Sequence, residues 1–205
     1  MDKDMKRLPL LLAMMGIVLL LSASVAIALE VNCIAGRGCV GTDNPDTLNG
    51  SAASDDMDAR QAGDRLFGND GHDWMSGDAY GPSDTSTDGN DRVFGRGGYD
   101  GLVGYGGSDL LSGGAKADYI SAVEASANPG EDTVDGGGDN DFIVAIDKTK
   151  DTIDCGTGIR DRVYYDKNLD TLTNCEIKRT SIPEEEFFGA ASSSMAEKVN
   201  SNRAR

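Results

Sequence analysis

The chain has 205 residues, a formal net charge of −16 and only 6% aromatic residues. This balance argues against nucleic-acid binding, because no basic stripe is present to neutralise phosphates. Asp supplies 27 of the 35 acidic residues, and Gly also occurs 27 times. Short carboxylates beside glycines suit tight loops and the coordination of hard cations better than they suit helices.

The first segment has the pattern of an export signal. Lys3, Lys6 and Arg7 precede an uncharged run from Leu8 to Leu29, which ends in a small-x-small pattern at Ala26 and Ala28. We therefore predict a signal peptide over residues 1–28 and a secreted, extracellular chain. The alternative is an uncleaved membrane anchor, since a run of this length can span a bilayer.

Four cysteines remain after the predicted cleavage site. An even number in an exported chain favours disulfides, and the placement suggests two local pairs, Cys33–Cys39 and Cys155–Cys175. Three pairings are formally possible. A zinc site is the alternative, but the spacing resembles no zinc finger and the sequence contains a single histidine, His72.

The middle of the chain repeats with a period of nine. Steps of nine from Asp46 to Asp118 meet aspartate each time except at Pro82, and the residue two places later is apolar in the same units. After a shift of five residues the pattern resumes at Asp132. The later aspartates of the pattern are Asp141, Asp151 and Asp161.

The fullest units read "GNDGHDWMS" from Gly68, "GRGGYDGLV" from Gly95 and "GYGGSDLLS" from Gly104. They resemble the nonapeptide G-G-x-G-x-D-x-U-x of RTX proteins, the hemolysin-type calcium-binding repeats. The resemblance covers about residues 41–163. It implies an all-β fold, a right-handed parallel β-roll with two nine-residue repeats per coil, and several bound Ca²⁺ ions.

These patterns divide the chain into six segments. The signal peptide is followed by an N-terminal cap over 29–40 and a first repeat block over 41–121. A second, degenerate repeat block spans 122–164, and an irregular C-terminal cap spans 165–179. The two predicted disulfides pin the ends of the solenoid, and residues 180–205 form a tail without repeats.

In a roll with two repeats per coil, each loop stacks on the loop two units away. This parity predicts one column of Asp55, Asp73, Asp91 and Asp109, and a second of Asp46, Asp64, Pro82, Asp100 and Asp118. We expect metal sites between the loops of Asp73 and Asp91, of Asp91 and Asp109, and of Asp100 and Asp118. Pairings through Pro82 are weakened, unless Asp78 or Asp84 bulges out to replace it.

The resemblance implies that the repeat aspartates and the glycine turns supply the ligands. The candidate ligands are Asp64, Gly68, Asp70, Gly71, Asp73, Asp88, Gly89, Asp91, Gly95, Gly97, Gly98, Asp100, Gly104, Gly106, Gly107, Asp109, Asp118 and Asp141. The loop before Asp151, "DKTK", lacks glycine and carries two lysines, so a coil without metal is expected there. Asp161 follows "GTGIR" and is a similarly weak candidate.

The expected function is calcium binding by a secreted roll that folds on Ca²⁺ and serves as a structural or interaction module. We expect no enzyme, because one histidine forbids H-E-x-x-H and no G-x-S-x-G motif occurs. The alternatives are a Ca²⁺-dependent hydrolase or lyase built on a β-helix, and a surface adhesin. A cell-surface or extracellular partner is compatible with this reading, and a membrane is a partner only if the signal segment is uncleaved.

Overall fold

The chain folds into short β-strands in a computed structural model that describes residues 28–35, 37–78, 88–123 and 129–183. No helix occurs in these ranges. The first eight strands are β1 Glu30–Asn32, β2 Gly38–Val40, β3 Thr47–Asn49, β4 Asp56–Asp58, β5 Arg65–Gly71, β6 Trp74–Ser76, β7 Arg92–Gly98 and β8 Gly101–Val103. The next eight are β9 Leu110–Ala115, β10 Tyr119–Ser121, β11 Thr133–Gly137, β12 Phe142–Ala145, β13 Thr152–Asp154, β14 Arg162–Tyr165, β15 Thr171–Thr173 and β16 Ile177–Arg179.

The strands form two parallel sheets that face each other. The odd-numbered strands make sheet A and the even-numbered strands make sheet B, in each case in chain order. One coil therefore contributes one strand to each sheet, and each strand pairs with the strand two places earlier and two places later. This arrangement confirms the predicted parallel solenoid with two repeats per coil.

The core is a thin double layer of the apolar residue from each unit. Alternation along a strand directs the middle residue inward and its neighbours outward. These inward residues are almost completely buried, and they are Leu48, Met57, Leu66, Met75, Val93, Leu102, Leu111, Ile120, Val134, Ile143, Ile153 and Val163.

The loops between the sheets lie along two edges. Along the continuous edge, the chain passes from sheet A to sheet B, and its repeat aspartates are Asp55, Asp73, Asp100, Asp118, Asp141 and Asp161. Along the interrupted edge, the chain returns from sheet B to sheet A, and its repeat aspartates are Asp46, Asp64, Asp91, Asp109, Asp132 and Asp151. Two loops of the interrupted edge are long: residues 77–91 join β6 to β7, and residues 122–132 join β10 to β11.

The predicted columns are therefore wrong beyond Asp73. The backbone N–H of Asp73 bonds to Asp100, and that of Asp64 bonds to Asp91, each across 27 residues instead of 18. The unit that contains Pro82 lies outside the described residues. Because β7 pairs directly with β5 and β8 directly with β6, this unit adds no strand between them, and all later aspartates exchange edges. The expected pairing of Asp73 with Asp91 is replaced by Asp73 with Asp100, whereas Asp91 with Asp109 and Asp100 with Asp118 are confirmed as neighbours.

The loops of the continuous edge stack closely because they contain glycine where the backbone needs it. Gly98 has φ of +149°, and a Cβ there would lie 1.5 Å from the carbonyl oxygen of Gly71 in the preceding coil. Strand pairing accordingly extends into these loops, where Asn69 pairs with Arg96 and Arg96 pairs with Gly114. Side chains are tolerated at the second loop position, where Asn69 and Arg96 also have positive φ.

The outward faces of the two sheets differ. Sheet B carries a row of rings in which Trp74 stacks on Tyr119 and Tyr119 on Phe142, at centroid distances of 6.2 and 5.7 Å. Sheet A carries exposed Arg65 and Arg92 beside a smaller ring pair. In the described ranges, no helix is long and apolar enough to cross a membrane, and the predicted signal segment lies outside those ranges except for Ala28.

Both ends of the solenoid are closed by the predicted disulfides. Cys33 bonds to Cys39 in the first coil, and Cys155 bonds to Cys175 between the last two coils. The C-terminal cap is more regular than predicted. Its strands β15 and β16 extend both sheets, and Leu172 packs against the core.

Candidate metal centre

Each repeat aspartate is buried, and each one from Asp64 onward uses one carboxylate oxygen to join two coils. The Oδ1 atom accepts the backbone N–H of the repeat aspartate one coil earlier; for example, the N–H of Asp91 bonds to Asp109 at 2.9 Å and that of Asp100 bonds to Asp118 at 2.8 Å. This aspartate ladder runs along both edges. At each turn between the sheets it supplies an acceptor for a buried backbone N–H. Leaving that N–H without a partner would cost free energy.

The second oxygen of most of these carboxylates has no hydrogen-bond partner. The Oδ2 atom is buried and unsatisfied in Asp64, Asp73, Asp91, Asp100, Asp109, Asp118, Asp132, Asp141, Asp151 and Asp161. A buried carboxylate with an unsatisfied oxygen is unfavourable unless a proton or a cation compensates it. Each ladder therefore presents a row of oxygens that can accept a cation.

The first two repeat aspartates behave differently. In Asp46, Oδ1 accepts the N–H of Leu29 and Oδ2 accepts the N–H and the hydroxyl of Thr42. In Asp55, one oxygen accepts the N–H of Ser51. The loops before them, "GTDNP" and "GSAAS", thus each bond one carboxylate oxygen from within, and Asp55 keeps an unsatisfied Oδ1. This difference separates Asp46, whose oxygens are both occupied, from the later aspartates.

A glycine at the first loop position lets oxygens of two coils approach the same point. A Cβ at Gly68 would lie 2.5 Å from Asp73 Oδ2 and 2.8 Å from the carbonyl oxygen of Gly95. Gly113 repeats the arrangement, with Asp118 Oδ2 at 2.5 Å and the Gly136 carbonyl at 2.6 Å. Any side chain here would displace one of these oxygens, so the recurring glycine keeps a carboxylate and a carbonyl of neighbouring coils close together.

Burial is the largest cause of the raised pKa values in the ladders, and neighbouring carboxylates add to it. The pKa is raised to about 8 in Asp91, Asp109 and Asp132 on the interrupted edge. On the continuous edge the pKa is raised to about 6 in Asp73 and about 7 in Asp118. The backbone N–H bonds of the ladder lower these values but do not offset burial.

A cation at these edges would need backbone ligands as well as carboxylates. Among the described residues, no three side chains of His, Cys, Asp or Glu converge on one point. Carboxylate and carbonyl oxygens are the ligands that Ca²⁺ prefers, and it accepts six to eight of them in flexible arrangements. The unsatisfied Oδ2 atoms and the neighbouring glycine carbonyls therefore fit Ca²⁺, which would supply the missing positive charge.

The structure brings together most of the predicted site residues. Asp64, Asp73, Asp91, Asp100, Asp109, Asp118 and Asp141 all lie in the ladders with one unsatisfied oxygen. The glycines at 68, 95 and 104 occupy first loop positions against those carboxylates, and Gly71, Gly98 and Gly107 take positive φ at the fourth position. Asp70 is exposed, and Asp88 is only partly buried.

Three late aspartates and one residue outside the period share the feature of the predicted ligands. Asp132, which is not a predicted ligand, Asp151, for which a coil without metal is predicted, and Asp161, a weak candidate, all have an unsatisfied Oδ2. Their place in the Asp-x-apolar period is the sequence signal that links them to the others. Asp78, considered only as a replacement for Pro82, is 1% exposed and also has an unsatisfied Oδ2.

Comparison with known families agrees with this geometry. The RTX calcium-binding nonapeptide repeat matches in four copies, over residues 55–79, 85–120 and 125–145. Comparison with curated proteins and with solved structures finds no match for the chain. Repeats of the RTX family bind several Ca²⁺ ions per domain. The two ladders thus lie in a parallel β-solenoid in which residues 55–79, 85–120 and 125–145 are RTX calcium-binding nonapeptide repeats.

Proposed function

We propose that the chain is a secreted, extracellular module that folds on Ca²⁺ and acts as a structural or interaction element without catalytic activity. The observation that carries the proposal is the row of buried, unsatisfied carboxylate oxygens along each edge. Without a cation these carboxylates oppose folding, so binding free energy is available to drive it. RTX repeats are typical of secreted proteins, and the predicted signal peptide supports the same location.

The sites with the most complete support lie between neighbouring coils. On the continuous edge they are the pairs Asp73 with Asp100, Asp100 with Asp118 and Asp118 with Asp141. On the interrupted edge the best pair is Asp91 with Asp109. In each pair the later aspartate accepts the N–H of the earlier one, and both keep an unsatisfied oxygen. The ions would hold neighbouring coils together along the edges.

The geometry around the single histidine supports a non-catalytic role. His72 is exposed, stacks on Tyr99 at 5.2 Å and accepts the backbone N–H of Tyr99 at 3.3 Å. The ring therefore packs on a neighbouring coil at the surface, and the carboxylates that could partner it belong to the ladders.

Far-ultraviolet circular dichroism of the chain without its predicted signal peptide, with disulfides intact, tests the proposal. We expect a cooperative increase in β-structure as Ca²⁺ is added near millimolar concentrations, as extracellular modules require, and none with Mg²⁺. Mg²⁺ demands a small octahedral site and gives up its water reluctantly. A fully folded spectrum in chelator, unchanged by Ca²⁺, would show that the core and disulfides suffice and would refute folding on calcium.

A further inference from the structure

The two longest described strands, β5 and β7, lie side by side in sheet A and present a grid of six side chains on its outward face. Because alternate residues of a strand face the same side of a sheet, the first, third and fifth residues of each strand form this grid. The pairs across the two strands are Arg65 with Arg92, Phe67 with Phe94 and Asn69 with Arg96. We call these six residues the arginine patch.

Contacts within the arginine patch hold its side chains in place. The rings of Phe67 and Phe94 stack with their centroids 5.4 Å apart and their planes inclined by 9°. Arg96 donates a hydrogen bond to Asn69 Oδ1 at 2.6 Å, and its Cζ atom lies 4.8 Å from the centre of the Phe67 ring. A guanidinium that is already ordered by a ring and an amide loses less conformational freedom when it binds an anion. The patch is therefore preorganised for binding.

Among the described residues, no carboxylate pairs with the positive charges of the arginine patch. Arg65, Arg92 and Arg96 are all exposed, and both ion pairs in the described ranges are formed by lysines. Strands in a sheet lie about 4.8 Å apart, so Arg65 and Arg92 place like charges on neighbouring strands, which is unfavourable. Three unpaired arginines side by side in a chain of net charge −16 indicate a surface that binds an anionic group.

The strands on both sides of the patch add no negative charge at the outward positions aligned with it. These positions hold Thr47 and Asn49 on β3, and Leu110, Ser112 and Gly114 on β9. β5 and β7 contain one acid, Asp70, which follows Asn69 toward the continuous edge. Farther along the same face, β11 and β13 carry Asp135 and Asp154. The positive surface is therefore bounded, and it extends about 13 Å along the strands.

A segment of matching charge and size occurs in the chain itself. Residues 184–188, directly after the last described residue, read Glu-Glu-Glu-Phe-Phe. Its carboxylates correspond to the arginines of the patch, since guanidinium and carboxylate groups form paired hydrogen bonds. Its two phenyl rings correspond to the stacked ring pair, beside which they would bury apolar surface. A five-residue extended segment also spans about 13 Å, the length of the patch.

The segment meets the patch more readily on a second copy than within one chain. β16 ends at Arg179 in sheet B, whereas the patch lies in sheet A. In sheet A, β15 of the last coil is four strand spacings, or about 19 Å, from β7. Glu184 follows Arg179 by five residues, which span at most about 18 Å, and the path must also pass around the solenoid. Binding within one chain would therefore require a fully extended connection, which costs conformational entropy.

We propose that the arginine patch of one copy binds residues 184–188 of a second copy of the chain. The patch and the segment are different parts of the chain, so the contact is heterologous, and repeated contacts produce a ring or an open row of copies. The inference deepens the interaction role under the proposed function and rests on it, because the patch exists only in the folded roll.

Sedimentation velocity of the chain without its predicted signal peptide, in saturating Ca²⁺, tests the proposal. We expect association that increases with protein concentration and weakens in high salt. The double variant Arg65→Ser/Arg92→Ser should weaken association about tenfold or more. The control Arg37→Ser/Arg160→Ser removes the same charge from exposed residues outside the patch and should change nothing. Circular dichroism of each variant in Ca²⁺ verifies the fold.

Substitutions in the segment test the contact from its other side and leave the described strands untouched. Glu184→Gln/Glu186→Gln should weaken association to the same extent as the patch variant, because each removes two charges from the same contact. Combining the two double variants should add little further loss. A patch variant that matches its control, or segment substitutions without effect on a folded chain, would overturn the contact.

The outcomes separate the two proposals. A wild type that folds on Ca²⁺ but stays monomeric refutes the docking contact and leaves calcium-driven folding standing. A chain that is equally folded and equally associated in chelator refutes folding on calcium and leaves the contact standing. A folded monomer that the same arginines retain on an immobilised polyanion assigns the patch to a different partner and overturns the second copy.

Discussion

The two edges of the solenoid carry the same aspartate ladder on different loops. On the continuous edge, strand pairing extends into the loops, as where Gly71 pairs with Gly98. On the interrupted edge, the described loops touch through isolated bridges, Ala62 with Asp88 and Gly107 with Pro129. The ladder bonds are nevertheless equally short, with 2.7 Å from Asp64 to Asp91 beside the long loop. Ladder and core therefore set the register of the coils, and the loops can vary in length.

The edges also differ in how far the carboxylate pKa values are raised. The highest pKa values, about 8 in Asp91, Asp109 and Asp132 and about 9 in Asp78, all lie on the interrupted edge. Burial raises these pKa values most and neighbouring carboxylates add to it, so the interrupted edge gains more from a bound cation. The continuous edge depends more on close backbone stacking.

The largest expected effect comes from a substitution that disrupts the close backbone stacking of the continuous edge. Gly98→Ala places a Cβ 1.5 Å from the Gly71 carbonyl at a positive φ, whereas Gly97→Ala, one residue away, meets nothing closer than 3.3 Å. We expect Gly98→Ala to lower the free energy of unfolding by about 3 kcal/mol or more, and Gly97→Ala by less than about 1 kcal/mol. Urea denaturation in saturating Ca²⁺ measures both. Equal stability of the two variants would show that the coils of the continuous edge can separate without cost.

The next effect is the pH dependence of the metal-free chain. Ladder carboxylates have folded pKa values of about 8 in Asp91 and Asp109, above the ordinary value of 3.8. A raised pKa contributes stability that is complete below about pH 4 and is lost as pH rises through the folded value. In chelator, the free energy of unfolding should therefore fall by at least about 2 kcal/mol between pH 5 and pH 9.

Saturating Ca²⁺ should reverse this trend, because the ion binds the deprotonated carboxylates and its affinity rises with pH. Denaturant midpoints at pH 5, 7 and 9, with and without Ca²⁺, provide the measurement. A metal-free midpoint that rises with pH would contradict the unsatisfied state of the carboxylates.

A matched pair of substitutions compares the edges directly. Asp109→Asn on the interrupted edge and Asp118→Asn on the continuous edge both keep the ladder acceptor, and both place an unpaired amide at Oδ2. The cost of that amide is common to the two variants. Because the pKa is about 8 in Asp109 and about 7 in Asp118, Asp109→Asn should keep the metal-free chain folded to a higher pH than Asp118→Asn, by the equivalent of about 1 kcal/mol. Circular dichroism in chelator, followed upward from about pH 5 where the carboxyls are protonated, tests the difference, and the opposite order would overturn the electrostatic ranking of the edges.

The sequence was sufficient for the two-sheet fold, because the Asp-x-apolar period specifies both the core and the ladder. The sequence also predicts correctly that the pattern shifts by five residues before Asp132, whose Oδ1 accepts the N–H of Asp109 across 23 residues. Steps of nine residues through Pro82 assign every later aspartate to the wrong edge of the solenoid. The signal was present in that unit, where a proline replaces the ladder aspartate and Asp84 replaces the core residue. A carboxylate at a core position is costly to bury, so this unit is the place where the count of nine can break.

The sequence could not show which carboxylate oxygens have hydrogen-bond partners. Asp46 and Asp64 occupy equivalent places in the period, yet Asp46 bonds to Thr42 within its own loop and Asp64 keeps an unsatisfied oxygen. The difference depends on how each loop directs its N–H groups. Asp78 lies outside the nine-residue period, so its burial could not be read from the period either.

The smallest expected effect tests whether loop length matters less for the register of the coils than the ladder and the core. Deletion of residues 79–87 would join Asp78 directly to Asp88 and leave a six-residue loop, "GDDGND", of the same length as the loop over 104–109. Closing a loop of six rather than 15 residues lowers the entropic cost by about 0.8 kcal/mol, so the shortened chain should be slightly more stable in Ca²⁺. A chain that instead loses more than about 2 kcal/mol, measured by urea denaturation, would show that the inserted segment holds the coils together. In that case the ladder bond between Asp64 and Asp91 would depend on the insertion, and the register of the interrupted edge would have a different origin from that of the continuous edge.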